Sequence, residues 1–361
     1  MKKRIIFALI IVLGFIVPCA AAERVVNIFN WSDYIDPGVL ADFTRETGIK
    51  VIYDTYDSNE MLEARMLAGP TGYDVVAPSG PLLQRLVRAN VLRPLDRRRL
   101  TNAANLWPEI DRRLQLYDPG GAHAVDYAWF TTGVAYNEAK ITERIGKPIA
   151  SWDEVLRPDA LKKFSDCAVY MLDSPEDMLA IALNYLKLDP NSKNSGDLRR
   201  AADVLAGLRR YVKKFHSSEY INALANGDIC LAIGWAGDAL QARNRAREAG
   251  SDVNIAFVAP VEGAMISLDT LAIPIDAAHV DAAYIFIDYL LRPDVAARNV
   301  RATNFASGVL PARKLLDPSI GNDPAIYPDA ATMSRLFAVT APDQSTQKLM
   351  TRLWTMVKTG H

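Results

Sequence analysis

Asn30-Trp31-Ser32-Asp33-Tyr34 sets an indole, a hydroxyl, a carboxylate and a phenol side by side, directly after the apolar run Val25-Val26-Asn27-Ile28-Phe29. An aromatic face beside a carboxylate attracts a cation with an apolar body, because the ring quadrupole and the negative charge favour the same partner. The competing reading makes Trp31 a core residue and Asp33 the cap of the next helix. The pattern recurs along the chain. Ser79 follows the apolar stretch 73–77, Glu176 and Asp177 follow 168–172, and Trp235 with Asp238 follows 229–233. Asp269 is the only charge between Ala264 and Pro274, and an unpaired charge within a buried strand is costly. Asp177 and Asp238 also fit as acids drawn to a helix start by its dipole. Trp235, with Gly234 before it and Gly237 after Ala236, reads as an exposed ring on a freed backbone.

Elements must bring these groups together. Asp36-Pro37 predicts an N-cap and first helical residue, with Val39, Leu40 and Phe43 on the apolar face and Gly48 at the end. Residues 49–53 predict a second strand, Ser58 caps a helix up to Gly69, and 73–77 predict a third strand stopped by Pro78-Ser79-Gly80. A βαβαβ order predicts a parallel sheet with helices on both faces. A second unit begins near Ala128, with strands at 168–172 and 229–233, each opening into a helix. Carboxylates and indoles thus stand at the carboxyl ends of strands in two α/β units, where open sheets bind ligands. Residues 254–258 and 264–273 are apolar again, and Ala283, Ile285, Phe286, Tyr289 and Leu290 give the apolar face of a helix ending before Pro293.

Composition narrows the class. Lys2, Lys3 and Arg4, an apolar run to Val17 and Ala20-Ala21-Ala22 predict a cleaved signal peptide over residues 1–22 and export to a periplasm. Cys19 follows Val17-Pro18, a poor lipobox, so lipid anchoring is not expected. The remaining chain carries 38 basic against 42 acidic residues, which points away from nucleic acid and anionic lipid. Its length predicts two domains. Cys167 and Cys230 form an even pair for an oxidising compartment and read as one disulfide, worth about 4 kcal/mol in the chain-entropy model; a reactive thiol is the weaker alternative. The chain has no G-x-G-x-x-G, P-loop, G-x-S-x-G or H-E-x-x-H, and His123, His216, His279 and His361 are scattered. Neither a cofactor, a metal site nor a His-based triad is expected. A carboxylate pair for glycoside hydrolysis stays open, because separation in space decides it.

Asn30–Tyr34, Thr47-Gly48-Ile49-Lys50-Val51, Phe215-His216-Ser217-Ser218, Ala225–Cys230 and Ile233–Asp238 closely resemble blocks of periplasmic polyamine-binding proteins, the spermidine/putrescine-binding components of ABC importers. Glu262–Met265, Leu290–Asp294 and Lys358-Thr359-Gly360 extend the resemblance over the mature chain. It implies an α/β, two-lobed type II periplasmic binding fold, each lobe a mixed, mostly parallel sheet flanked by helices. One lobe is expected to take 23–127 with 250–301, the other 128–249 with 302–361. It implies a non-enzymatic, monomeric protein that holds a diamine or polyamine and delivers it to an inner-membrane permease; a sensor on the same scaffold, or a binder of another cationic amine, is the alternative. The implied ligand positions are Trp31, Ser32, Asp33, Tyr34, Ser79, Asp177, Trp235, Asp238, Ser267, Asp269 and Phe305, and the implied disulfide is Cys167–Cys230. Three depart from the family pattern: Asp177 stands for Glu, Ser267 for an aromatic and Phe305 for Tyr. Each loosens the pocket, which leads to an expected preference for longer or bulkier amines.

Overall fold

Local chemistry sets the element boundaries. In the computed structural model, which describes residues 24–360, Asp36 accepts from the Gly38 N–H at 2.7 Å, Pro37 fills the first turn, and Gly48 closes the helix Pro37–Thr47 at a φ of 69°. Ser58 caps the helix Asn59–Leu67 and Ser174 caps Pro175–Tyr185 in the same way. The expected signal segment, Cys19 and His361 lie outside the described residues. Among those described, no helix is long and apolar enough to cross a membrane.

The strands are β1 (Val25–Trp31), β2 (Lys50–Tyr56), β3 (Val75–Val76), β4 (Ala124–Asn137), β5 (Val169–Met171), β6 (Lys214–Phe215), β7 (Leu231–Trp235), β8 (Ile255–Val258), β9 (Met265–Ala272) and β10 (Ala306–Ser307). β1 pairs parallel with β2 and β3, and β5 pairs parallel with β6 and β7, as the βαβ rhythm predicts. Between these groups the pairing is antiparallel: β3 to β9, β9 to β4, and β4 to β7, β8 and β10. The order β2-β1-β3-β9-β4-β7-β5-β6 therefore forms one connected path among the described residues. The reason is the length of β4, whose first half pairs with β9 and β10 and whose second half pairs with β7 and β8.

Two hydrophobic cores lie along that path. The first draws on residues from Val26 to Trp129 and from Ala264 to Leu336, joined by Leu240; the second draws on the rest of the stretch from Val134 to Ile255 and on Met350 to Val357. Each gathers buried aliphatic and aromatic side chains, and their removal from water is the dominant source of folding energy. The chain passes from one core to the other within β4, between Trp129 and Val134, again between Ile255 and Ala264, and again between Leu336 and Met350. β10 pairs with Ala128 and Trp129 in the first of these cores. Cys167 and Cys230 are bonded, with Cα atoms 5.4 Å apart, and the Cys230 N–H donates to the Cys167 carbonyl. The bond joins the chain just ahead of the neighbouring strands β5 and β7.

Candidate functional site

β1 runs two residues further than its apolar stretch suggests, so Asn30 and Trp31 belong to the strand. The chain then turns through Asp33 at a φ of 55°, a left-handed conformation that Asp tolerates better than most residues. That turn sends Tyr34 inward and leaves Ser32 and Asp33 exposed. The capping role falls to Asp36, not Asp33. Trp31 is half-buried, its indole N–H donating to the Ala77 carbonyl at 3.0 Å and its ring packed 4.7 Å from Tyr56.

A cleft of about 710 Å³ opens between the two cores. Trp31, Ser32, Asp33, Tyr34, Ser79, Asp177, Trp235, Asp238, Ser267, Asp269 and Phe305 all line it. They come from the carboxyl ends of β1 and β7, the segments after β3 and β5, the middle of β9 and the stretch before β10, positions that topology brings to one edge.

In the cleft, the buried carboxylates Asp269 and Asp238 are each held by a tyrosine hydroxyl, and the half-buried Asp177 by an indole and a serine hydroxyl. The Tyr34 hydroxyl donates to Asp269 Oδ2 at 2.6 Å, while the Tyr127 hydroxyl donates to the Tyr34 carbonyl at 2.7 Å. Burial pushes Asp269 up to about 7, against the Tyr34 hydrogen bond. Burial also raises the Tyr34 phenol, so it remains a donor. The Tyr220 hydroxyl donates to Asp238 Oδ2 at 2.8 Å. Burial pushes Asp238 up to about 6, opposed by that bond and by the Arg245 charge. The Trp235 indole N–H donates to Asp177 Oδ2 at 2.9 Å, and the Ser174 hydroxyl donates to Asp177 Oδ1 at 3.0 Å. Burial raises the carboxyls of both Asp177 and Glu176, and both line the cleft. Ser32 donates to Asp57 Oδ1 at 2.7 Å near the mouth.

The glycines around Trp235 serve a different purpose from backbone freedom. A Cβ at Gly234 would stand 2.6 Å from the Tyr220 ring, and one at Gly237 would stand 2.5 Å from the Phe305 ring. They admit two rings that shape the cleft: Tyr220 reaches Asp238 over one, and Phe305 lies across the other. Trp235 itself is half-buried, fixed by Asp177 rather than freely exposed.

Desolvated carboxylates raised towards neutrality favour a ligand that brings positive charge, since a cation restores their ionised form. Among the described residues no group of His, Cys, Asp and Glu is placed to hold a metal ion, and none of the residues lining the cleft is a histidine or cysteine.

A model of the family described as bacterial extracellular solute-binding protein matches residues 38–328. The chain belongs to that family. It is 46% identical over 344 residues to the putrescine-binding periplasmic protein PotF of Escherichia coli (strain K12), covering 94% of this chain and 93% of that one. It is 43% identical over 343 residues to the putrescine-binding periplasmic protein SpuD of Pseudomonas aeruginosa (strain UCBPP-PA14), with 94% of each covered. The crystal structure of the spermidine/putrescine ABC transporter substrate-binding protein PotD from Streptococcus pneumoniae matches with a TM-score of 0.82 at 29% identity, covering 93% of this chain and 99% of that one. The fold is that of the type II periplasmic binding proteins, as the resemblance implied.

The solute-binding cleft also contains residues that sequence reasoning missed. Tyr56, Tyr117 and Phe130 add rings, Ser217 to Glu219 and Asn222 form part of the rim, and Arg245 contributes a cation that hydrogen-bonds to Asn222 at 2.7 Å. Ser217 and Ser218 lie within a block that carried the resemblance, which was their available signal. Phe130 sits in a strand buried almost throughout, whose polar residues Asp126, Thr131 and Thr132 do not alternate in a way that marks which side chains face the cleft. Tyr220, behind Asp238, becomes visible as a partner only in three dimensions.

Proposed function

We propose that this solute-binding protein captures a linear diamine or polyamine in the cleft, in the periplasm, and delivers it to an inner-membrane ABC importer without chemical turnover. The observation that carries this reading is the pair of buried carboxylates, Asp238 and Asp269, each steadied by a tyrosine hydroxyl and facing one cleft walled by indole and phenyl rings. A dication with an apolar tether matches both features: ammonium groups meet the carboxylates, and methylenes pack on the rings. Relatives whose names give putrescine or spermidine as ligand support the same class. The two core-bearing halves would close on the ligand by a hinge motion.

Mass spectrometry of the ligand released on denaturing native protein should find a diamine or polyamine unaltered. Calorimetry should give one-to-one binding, weakened by roughly 2–5 kcal/mol in Asp238→Ala and Asp269→Ala, because each loses one partner of a desolvated charge pair. Wild-type affinity in both variants would refute the site.

A further inference from the structure

The burial pattern of the two central strands contains one coincidence. Within β4, fourteen residues long, every residue is buried except Phe130. Within β9, every residue is buried except Ser267. These two breaks are register partners, Phe130 opposite Ser267, in an antiparallel pair. Directly opposed residues share a face of the sheet, with Cβ atoms about 5 Å apart. Both side chains line the cleft.

Phe130 is set among rings. Its centroid lies 5.0 Å from Phe305 at an interplanar angle of 67° and 6.3 Å from Trp235 at 73°, both edge-to-face. Phe305 stands 4.8 Å from Tyr34, which holds Asp269; Trp235 donates to Asp177. The Phe130 ring therefore bridges the ends of the cleft where the carboxylates stand. A large side chain directly opposite would compete for the same space, and the hydroxymethyl of Ser267 leaves it free.

We infer that Phe130 is a specificity-determining wall of the cleft, packing on the apolar tether of a bound diamine, with Ser267 as the small partner that makes room for it. This rests on the diamine reading above. The pair acts as a unit, one bulky and one small residue across two strands, so the opposite distribution of bulk would build the wall from the other strand. Ser267 is then no evidence of a loosened pocket.

The test is a swap, read by calorimetry with 1,4-diaminobutane and with spermidine on wild type, Phe130→Ala, Ser267→Phe and the double variant. Phe130→Ala should weaken 1,4-diaminobutane about 4- to 15-fold, the worth of burying one or two methylenes against the ring, and weaken the bulkier spermidine less. Ser267→Phe alone should also weaken binding by crowding the ring. The double variant should recover to within about 3-fold of wild type, the coupling expected of residues in contact. Phe130→Leu replaces Phe130→Ala should the latter not fold. A wild type that binds neither amine removes the functional reading and this inference with it. A wild type that binds, with Phe130→Ala unchanged or the double variant no tighter than Phe130→Ala, overturns the wall alone.

Discussion

At the scale of single residues, the cleft holds charge in reserve. Asp269 and Asp238 titrate at about 7 and about 6, both above the ordinary carboxylate range because burial disfavours the ionised form. The folded chain thus binds these protons more tightly than the unfolded chain does. By linkage, stability from these two groups falls as pH rises through the window from about 4 to 7. Amine capture runs the other way, because an ammonium needs the ionised form. Affinity should therefore drop as pH is lowered from 8 to 5, by about 10-fold per unit for each group below its titration point. Asp269→Asn, which keeps an oxygen for the Tyr34 hydroxyl, should raise the melting temperature of the ligand-free protein at pH 8 while abolishing tight binding. A pH-independent affinity, or a lower melting temperature in that variant, would contradict this account. Trp31, Asp177, Trp235 and Asp238 were legible as a group because carboxylates and indoles recur just after strands, and Asp269 because a lone charge within an apolar strand is costly, although each taken singly also had a structural reading. Tyr220 and Phe130 were not, since one acts through Asp238 and the other through its register with Ser267.

At the scale of elements, helix starts were the clearest signals. Asp36, Ser58 and Gly48 act locally, so their side chains or torsions suffice to mark a boundary. Strand lengths were less legible. The stretch 73–77 is a strand only at Val75–Val76, and beside it the Asp74 carboxylate accepts from the Asn27 and His279 backbone N–H groups while the Asp74 N–H donates to the Asn27 carbonyl. Ile285, read as part of an apolar face, is exposed on the helix Val280–Leu290. The contact of Gly237 with Phe305 joins the helix Ala236–Glu248 to the stretch before β10, at the back of the cleft. Gly237→Ala would drive a methyl into that ring, an overpacking cost of about 1–3 kcal/mol. Denaturant unfolding should detect this loss, and Phe305→Leu should relieve part of it in the double variant. Unchanged stability in Gly237→Ala would mean that the ring yields freely.

At the scale of the whole molecule, two α/β units were legible from the repeated alternation of strand and helix and from the chain length, while the two-lobed class came from the resemblance of blocks such as Asn30–Tyr34 and Ile233–Asp238. The points where the chain passes from one core to the other carry no such mark. Residues 305–336 stay in the first core through β10 pairing with β4 and through the contacts of Leu106, Trp107 and Trp129 with Val309, Gly308 and Tyr327, none of which has a local sequence signature. The crossing inside β4 is equally silent, because residues 124–137 are buried on both sides of it. A continuous strand offers no turn residue to mark a border.

That continuity has a thermodynamic consequence. The strand Ala124–Asn137 gives Ala124, Val125 and Trp129 to one core and Val134, Ala135 and Tyr136 to the other. Melting either half strips a wall from its neighbour, so the halves should not denature one at a time. Scanning calorimetry on ligand-free protein should show a single endotherm whose calorimetric and van't Hoff enthalpies agree, the mark of one cooperative unit. Two resolved peaks would mean that the shared strand transmits nothing. On this account a fragment bearing one half alone is no smaller receptor; it is a chain lacking part of its own interior.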